Sequence, residues 1–257
     1  MIRVRGLQVK YGHRVVAQIE QLDLAPGSVT GIAGESGSGK SQTALAIMGL
    51  SRYAGATVSG SVRLDDLELT GLSARQWRSV RGSRIAMIMQ SPRAALNPTL
   101  RLGTLFGRTL RLHGTGRGEI NARMSEALRE VVLHPAILDR YPHQVSGGQA
   151  QRFAIAMVSA LRAEVVIADE PTSALDVTVQ AEVIEVLRNL RDTHGTALLF
   201  ISHDLAVISE LADQILVMKD GTVVESGDTV DVLGSPRDPY TQRLLAAVPT
   251  IGQAGAR

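Results

Sequence analysis

The stretch Gly34-Glu35-Ser36-Gly37-Ser38-Gly39-Lys40-Ser41 decides the fold. It follows a short β-type run, Val29 to Ala33, and leads into a segment of mostly small and apolar residues, Gln42 to Leu50. A strand, a glycine loop and a helix in this order form a phosphate-binding loop, whose backbone N–H groups turn toward an anion at a helix N-terminus. Lys40 would then neutralise phosphate charge, and Ser41 would offer its hydroxyl to Mg²⁺. The alternative, an ordinary glycine-rich turn, is disfavoured because both flanks have the required character.

Composition sets the broad class. A chain of 257 residues with 44% hydrophobic content can bury a full core. Lys and Arg number 27 against 25 Asp and Glu, and the charges are interspersed, so no polybasic nucleic-acid tail is present. The sequence has no cysteine, which excludes disulfides and thiolate metal sites. We expect a soluble cytosolic chain, because no apolar run reaches the roughly 18 residues of a membrane helix and the first residues do not lead into a signal-peptide core.

A second chemical element is the apolar run Val165 to Ala168, which ends in Asp169 and Glu170. A buried parallel strand that emerges at its carboxyl end would present Asp169 to a magnesium shell and place Glu170 beside an attacking water. A buried strand with a polar end is also common in α/β proteins. The phosphate loop earlier in the chain favours the functional interpretation.

A third element is Ser146-Gly147-Gly148-Gln149, which precedes a helix running through Phe153. Serine is a good N-cap, and two glycines allow close approach of another backbone, so this helix N-terminus is a second possible anion site. Taken by its composition alone, the segment is better explained as an ordinary capped helix.

The chain divides by character. β-type runs dominate residues 1–90 and return in 163–234, whereas proline and helical spacing dominate 91–162. We therefore predict one domain over 1–234 with a helical subdomain inserted at 91–162. The tail after Leu233 is punctuated by proline and is expected to be peripheral, with 235–257 as a C-terminal extension.

With these motifs in this order, the chain resembles an ATP-binding cassette (ABC) ATPase along nearly its whole length. The resemblance implies an α/β fold: a P-loop NTPase core with an N-terminal antiparallel β-subdomain and an inserted α-helical subdomain. The matching positions are Tyr11 for adenine stacking, Gly34 to Ser41 for the phosphate loop, Gln90 for the Q-loop, Ser146 to Gln149 for the signature, Asp169 and Glu170 for Walker B, Ser173-Ala174-Leu175-Asp176 for the D-loop, and His203 for the switch histidine.

The resemblance implies ATP and Mg²⁺ as cofactors and gives roles to individual residues. Glu170 would be the general base, His203 would hold the γ-phosphate and water, and Gln90 would join Ser41 and Asp169 as a magnesium ligand. Without the resemblance, His203 is better explained as a satisfied histidine at a strand end, and Tyr11 as an aromatic in a surface turn. The predicted catalytic residues are Lys40, Glu170 and His203.

The resemblance also implies a head-to-tail dimer. Each nucleotide would lie between one phosphate loop and the other subunit's signature, so Ser146, Gly147, Gly148 and Gln149 would contact the partner's ATP, and Asp176 would lie at the same interface. Val145 stands where the family more often has leucine, which keeps an apolar residue at this position.

Further segments are similar to the peptide and nickel importers of bacteria. They are Ile88 to Pro98, Tyr141 to Gln144, Leu175 to Ala181, and Asp238 to Thr241 with Leu244 and Leu245. This likeness implies an ATP-hydrolysing subunit that energises the uptake of peptides or nickel chelates through separate permeases, and that lies peripherally at the cytoplasmic face of the inner membrane. Its partners would be a second, homologous but non-identical ATPase, two permease subunits and, indirectly, an extracytoplasmic solute-binding protein. The Met89-Gln90-Ser91-Pro92-Arg93 form is similar to some nickel-uptake members.

Two alternatives remain open. One is a soluble cassette ATPase accessory to a phosphonate-cleaving carbon–phosphorus lyase complex. The other is a nucleotide-binding module without catalysis, which is disfavoured because Lys40, Glu170 and His203 are all present. Nucleic-acid-handling cassettes are disfavoured because the sequence has no zinc cysteines, coiled-coil insert or second cassette.

Overall fold

The computed structural model describes residues 1–173 and 175–247. Ala174 of the predicted D-loop and residues 248–257 of the predicted extension lie outside the described residues. The strands are β1 (Ile2–Tyr11), β2 (Arg14–Leu24), β3 (Val29–Ala33), β4 (Thr57–Leu64), β5 (Leu67–Glu68), β6 (Ile85–Ile88), β7 (Val165–Asp169), β8 (Ala197–Ile201), β9 (Gln214–Lys219) and β10 (Thr222–Asp228).

The α-helices stand mainly between the parallel strands and in the middle of the chain. They are α1 (Lys40–Ile47), α2 (Ala74–Val80), α3 (Pro92–Ala95), α4 (Leu102–Leu112), α5 (Ile120–Glu130), α6 (Gly147–Leu161), α7 (Val177–His194), α8 (Leu205–Leu211), α9 (Thr229–Gly234) and α10 (Pro239–Ala246). In the part of the chain that the structure describes, no helix is long and apolar enough to cross a membrane.

One sheet contains all ten of these strands, in the order β5-β4-β1-β2-β10-β9-β3-β8-β7-β6. Strands β3, β8, β7 and β6 pair in parallel, and β9 is parallel to β3. Strands β1, β2, β4 and β5 pair antiparallel at the other end of the sheet. The predicted fold class, a P-loop core with an N-terminal antiparallel β-subdomain and an inserted helical region, is confirmed.

The central strands are buried on both faces. Every residue of β3, β7 and β8 is buried, as expected for parallel strands covered on two sides. Alternate side chains of these strands pack into two different hydrophobic cores. The core on the side of the β-subdomain includes Ile32, Ile167 and Leu199, and the core on the side of the helical region includes Val166 and Phe200. Strands anchored in two cores provide a firm base for the residues at their carboxyl ends. The phosphate loop follows β3, Asp169 and Glu170 stand at the end of β7, and His203 follows β8.

The region from 91 to 162 is helical throughout its regular elements. Helices α4 and α6 are joined by Phe106 and Phe153, whose rings meet edge to face with centroids 5.6 Å apart. Both rings are fully buried, and they belong to the same hydrophobic core that covers one face of the central strands.

The tail was expected to be peripheral, and this expectation is wrong for its described part. Tyr240 of α10 is only 5% exposed. The Glu225 carboxylate of β10 accepts hydrogen bonds from the backbone N–H groups of Arg237 (2.8 Å) and Asp238 (3.2 Å). These bonds turn the chain back, and α10 packs against the body of the protein.

Candidate nucleotide-binding site

The phosphate loop connects β3 to α1, as the sequence predicted. Gly39, directly before α1, has φ of 102°, a conformation that side chains rarely adopt. A Cβ at Gly39 would lie 2.5 Å from the carbonyl oxygen of Val16 in β2. Glycine is therefore required here both by the turn and by the close approach of β2.

Lys40 lies at the base of the loop and is 4% exposed. Its Nζ donates hydrogen bonds to the carbonyl oxygens of Gly34 (2.7 Å) and Glu35 (2.8 Å). Burial lowers the pKa of Lys40, and the nearby carboxylates of Glu170 and Asp169 act in the opposite direction. The ammonium group is thus held inside the curve of the loop, where a phosphate oxygen could take over these bonds.

Ser41 and Asp169 meet although they are 128 positions apart in the sequence. The Ser41 hydroxyl donates to Oδ1 of Asp169 at 2.9 Å. Burial raises the pKa of the Asp169 carboxyl, and the bond from Ser41 partly offsets this effect. A hydroxyl and a carboxylate side by side are hard oxygen donors of the kind that Mg²⁺ prefers.

Glu170, Gln90 and His203 form a second cluster next to Lys40. Gln90 Nε2 donates to Oε2 of Glu170 at 2.8 Å, and His203 Nδ1 lies 3.4 Å from Oε1 of Glu170. Glu170 has φ of 47°, an uncommon value outside glycine, and its N–H bonds to the Ile201 carbonyl at the end of β8. The Glu170 side chain lines the cavity described below, and the His203 side chain is 58% exposed.

A cavity of about 680 Å³ joins these groups. It includes several residues that sequence reasoning did not select: Arg14, Val16, Gln42 and Leu244. Arg14 and Val16 follow Tyr11 across a tight turn, so the Tyr11 match was the available signal for them. Leu244 belonged to the tail segment similar to peptide and nickel importers, but that likeness did not assign it to the nucleotide site. The full lining comprises Arg14, Val16, Glu35, Ser36, Gly37, Gly39, Lys40, Ser41, Gln42, Gln90, Glu170, His203 and Leu244.

Tyr11 is set beside this cavity rather than in its lining. Its hydroxyl donates to Oε1 of Gln42 at 3.1 Å, and Gln42 itself lines the cavity. Adenine stacking by Tyr11 stays a prediction.

The signature segment lies elsewhere. Ser146 caps α6: its hydroxyl oxygen accepts from the Gln149 N–H (3.2 Å), and the Gln149 side chain accepts from the Ser146 N–H (3.1 Å). Asp176 caps α7 by accepting from the Val179 N–H at 3.0 Å. Neither the signature residues nor Asp176 line the cavity, so the fold does not bring them to this chain's own phosphate loop.

A larger groove of about 820 Å³ is lined by β10, α9 and the residues that lead into α10. Its lining includes the carboxylates Glu225, Asp228, Asp231 and Asp238. The negative charge of these carboxylates repels phosphate, and the groove contains none of the predicted site residues. We therefore do not assign the nucleotide to this groove.

The residues of the loop fit a nucleotide with magnesium. Among the residues that the structure describes, the Ser38 hydroxyl oxygen is buried without a hydrogen-bond partner, inside the loop that would hold phosphate. The described residues contain no group of three or more histidine or acidic side chains that could hold a metal ion by themselves. The metal shell here would therefore combine Ser41, Asp169 and Gln90 with phosphate oxygens.

Comparison with known proteins finds a matching family model and similar transport proteins. The family model described as ABC transporter matches residues 18–173. The dipeptide transport ATP-binding protein DppD of Escherichia coli (strain K12) is 42% identical over 261 residues, covering 98% of this chain and 80% of DppD. The glutathione import ATP-binding protein GsiA of Salmonella paratyphi A is 42% identical over 266 residues. That match covers 98% of this chain, which spans only 42% of the length of GsiA.

A solved structure shares the fold. The dimeric ATP-binding cassette MJ0796, in a post-hydrolysis state bound to ADP and phosphate, aligns with a TM-score of 0.78 and 26% identity, covering 89% of this chain and 99% of that one. Together with the loop, the paired Ser41 and Asp169 and the Glu170 cluster, these matches show that the chain belongs to the ABC transporter family, as an ATPase domain that uses ATP and Mg²⁺.

Proposed function

We propose that this chain is the ATP-hydrolysing subunit of a bacterial ABC importer and that it energises the uptake of peptides. The observation that carries the proposal is the convergence of Lys40, Ser41 and Glu170 on one cavity, with Asp169 hydrogen-bonded to Ser41 at its edge. The substrate class follows from similarity to a dipeptide transport protein and a glutathione import protein. A role in a phosphonate-cleaving complex is not favoured, because these relatives are import proteins.

Within the site, we assign Glu170 as the general base and His203 as the group that holds the γ-phosphate and the attacking water. Both roles are supported by geometry, since His203 lies 3.4 Å from the Glu170 carboxylate and both line the cavity. Gln90 shares a hydrogen bond with Glu170 and would exchange it for the magnesium shell. Bound Mg²⁺ would supply neutralisation of phosphate charge, while Lys40 and the loop N–H groups hold the phosphates.

We further propose that Ser146 to Gln149 act on the nucleotide of a second ATPase subunit in a head-to-tail dimer. Support comes from the capped α6 N-terminus, which lies outside the chain's own cavity, and from the dimeric state of MJ0796. The proposed partners are a homologous non-identical ATPase, two permease subunits and, indirectly, a solute-binding protein. The proposed location is the cytoplasmic face of the inner membrane.

The proposed division of the chain remains that of the sequence: a core of 1–90 and 163–234, a helical subdomain of 91–162 and an extension of 235–257. The helical subdomain carries the signature, so its movement relative to the core would bring the signature to the partner's ATP.

Reconstitution tests the function directly. The chain, its partner ATPase and the permeases from the same operon are placed in lipid vesicles with the cognate solute-binding protein, and uptake of labelled di- and tripeptides and of a nickel chelate is measured. ATP-dependent uptake of peptides supports the proposal. Uptake of the nickel chelate alone would change the substrate class, and no ATP-dependent uptake would refute the function.

Glu170→Gln tests the catalytic assignment. Removing the base while keeping the shape of the side chain should stop hydrolysis and leave an ATP-bound dimer that accumulates. Size-exclusion chromatography with Mg·ATP, together with phosphate release, measures both effects. Turnover equal to that of the unsubstituted protein would remove Glu170 as the base.

A further inference from the structure

The C-terminal helix α10 contacts the phosphate loop itself. The backbone N–H of Glu35, the second residue of the loop, donates a hydrogen bond to the hydroxyl oxygen of Tyr240 at 3.0 Å. The two residues are 205 positions apart, and Tyr240 is buried. A buried bond between elements so distant in sequence ties the tail to the site that binds nucleotide.

Tyr240 is held from several sides. The Asp238 side chain caps α10 by accepting from the Tyr240 N–H at 2.7 Å, and the Glu225 carboxylate anchors the residues just before it. Lys219 Nζ lies 5.5 Å from the centre of the Tyr240 ring, and Arg243 Cζ lies 6.0 Å from it. The ring is therefore fixed independently of the loop that its hydroxyl contacts.

This fixed hydroxyl constrains a loop that is otherwise pliable. Gly34 and Gly37, on either side of Glu35, have φ of 147° and 85°, values open mainly to glycine. Holding the Glu35 amide restricts the peptide plane between these two flexible positions. The direction of the following N–H groups, which must converge on phosphate, depends on that plane.

The same face of α10 also reaches the cavity. Leu244 lies four residues after Tyr240, one helical turn away, and lines the cavity together with Glu35, Ser36 and His203. One face of this helix thus contacts both the backbone of the phosphate loop and the space that a nucleotide would occupy.

We propose that the C-terminal segment completes the nucleotide site: Tyr240 is a positioning residue that sets the phosphate loop, and Leu244 forms a wall that contacts bound nucleotide. This inference rests on the nucleotide site described above. It makes the affinity for ATP depend on a helix that lies outside the matched family region, which ends at residue 173.

Tyr240→Phe tests the inference, because it removes the hydroxyl and keeps the ring. The matched control is Tyr53→Phe, which removes the hydroxyl of an exposed tyrosine outside the cavity lining. Loss of one hydrogen bond corresponds to about a 2- to 12-fold change in an equilibrium constant. We expect the Kd of the full-length chain for Mg·ATP, measured by calorimetry, to rise by about this factor in Tyr240→Phe and to stay unchanged in Tyr53→Phe.

Hydrogen exchange separates positioning from general destabilisation. In Tyr240→Phe, peptides covering residues 34–41 should exchange faster, while peptides of α6 keep the rate of the unsubstituted protein. Leu244→Ala should raise the Kd without changing exchange in the loop. Equal Kd and equal loop exchange in Tyr240→Phe would overturn the inference, as would faster exchange throughout the chain. If the unsubstituted chain binds no Mg·ATP, the nucleotide site itself fails, which is a different result.

Discussion

Gly148→Ala is expected to destabilise the chain, because the added methyl group at the start of α6 would clash with α7. A Cβ at Gly148 would lie 2.7 Å from Cγ1 of Val179, near the start of α7. Valine has essentially one χ1 rotamer in a helix, so it cannot swing aside. Overpacking of this kind costs about 1–3 kcal/mol, and the better helix propensity of alanine returns about 0.5–1 kcal/mol. The expected net loss is up to about 2.5 kcal/mol.

Thermal unfolding of the nucleotide-free chain, followed by circular dichroism, measures this loss. At about 2–4 °C per kcal/mol for a chain near this size, the Tm should fall by up to roughly 10 °C. Gly147→Ala is the matched control, since a Cβ at Gly147 meets no described atom within 4 Å. In a chain that already carries Val179→Ala, Gly148→Ala should cost less stability than it does in the unsubstituted chain, because the shorter side chain leaves room for the new Cβ. A Gly148→Ala protein as stable as Gly147→Ala, or an equal cost of Gly148→Ala in both chains, would refute the steric reasoning.

Two further substitutions test other parts of the description. Burial raises the pKa of Asp169 in the folded protein. The stability that Asp169 contributes is therefore full below its unfolded pKa and is lost as pH rises through its folded pKa. At pH 7, Asp169→Asn should raise the Tm of the nucleotide-free chain and abolish the further rise caused by Mg·ATP. A lower Tm without nucleotide would contradict this. Gly49→Ala should cost at least about 2 kcal/mol, because Gly49 has φ of 62° and a Cβ there would overlap the Trp77 ring. Urea unfolding followed by the fluorescence of Trp77, the single tryptophan, measures it, and Gly55→Ala, with φ of 81° and open space, should cost only about 1–2 kcal/mol.

Features set by neighbouring residues could be predicted from the sequence. The strand, glycine loop and helix around Lys40 are local, because the turn needs glycine and the flanks show their own character. Gly195 ends α7 in the left-handed conformation that a glycine stop predicts. The apolar run before Asp169 is a fully buried strand, as such a run indicates.

Features that depend on distant pairing could not be predicted in this way. Nothing in the polar, proline-punctuated tail indicates that Tyr240 meets the Glu35 amide, because that contact depends on how β10 turns the chain back. Likewise, the Gln90 side chain reaches Glu170 only because β6 and β7 are neighbours in the sheet. Periodicity describes which face of an element is buried, but it carries no information about which element covers that face.

The place of β3 in the sheet affects how the chain can fold during translation. Both neighbours of β3 come late in the sequence: β8 begins at Ala197, and β9 ends at Lys219. At about 5–20 residues per second, β3 waits roughly 10–40 s on the ribosome before both sides of it can be paired throughout. During that interval, its five residues and their backbone groups have no sheet partners. The strand that later holds the phosphate loop is thus unpaired for most of synthesis, and unpaired strands of this kind are what a ribosome-associated chaperone protects in a nascent chain.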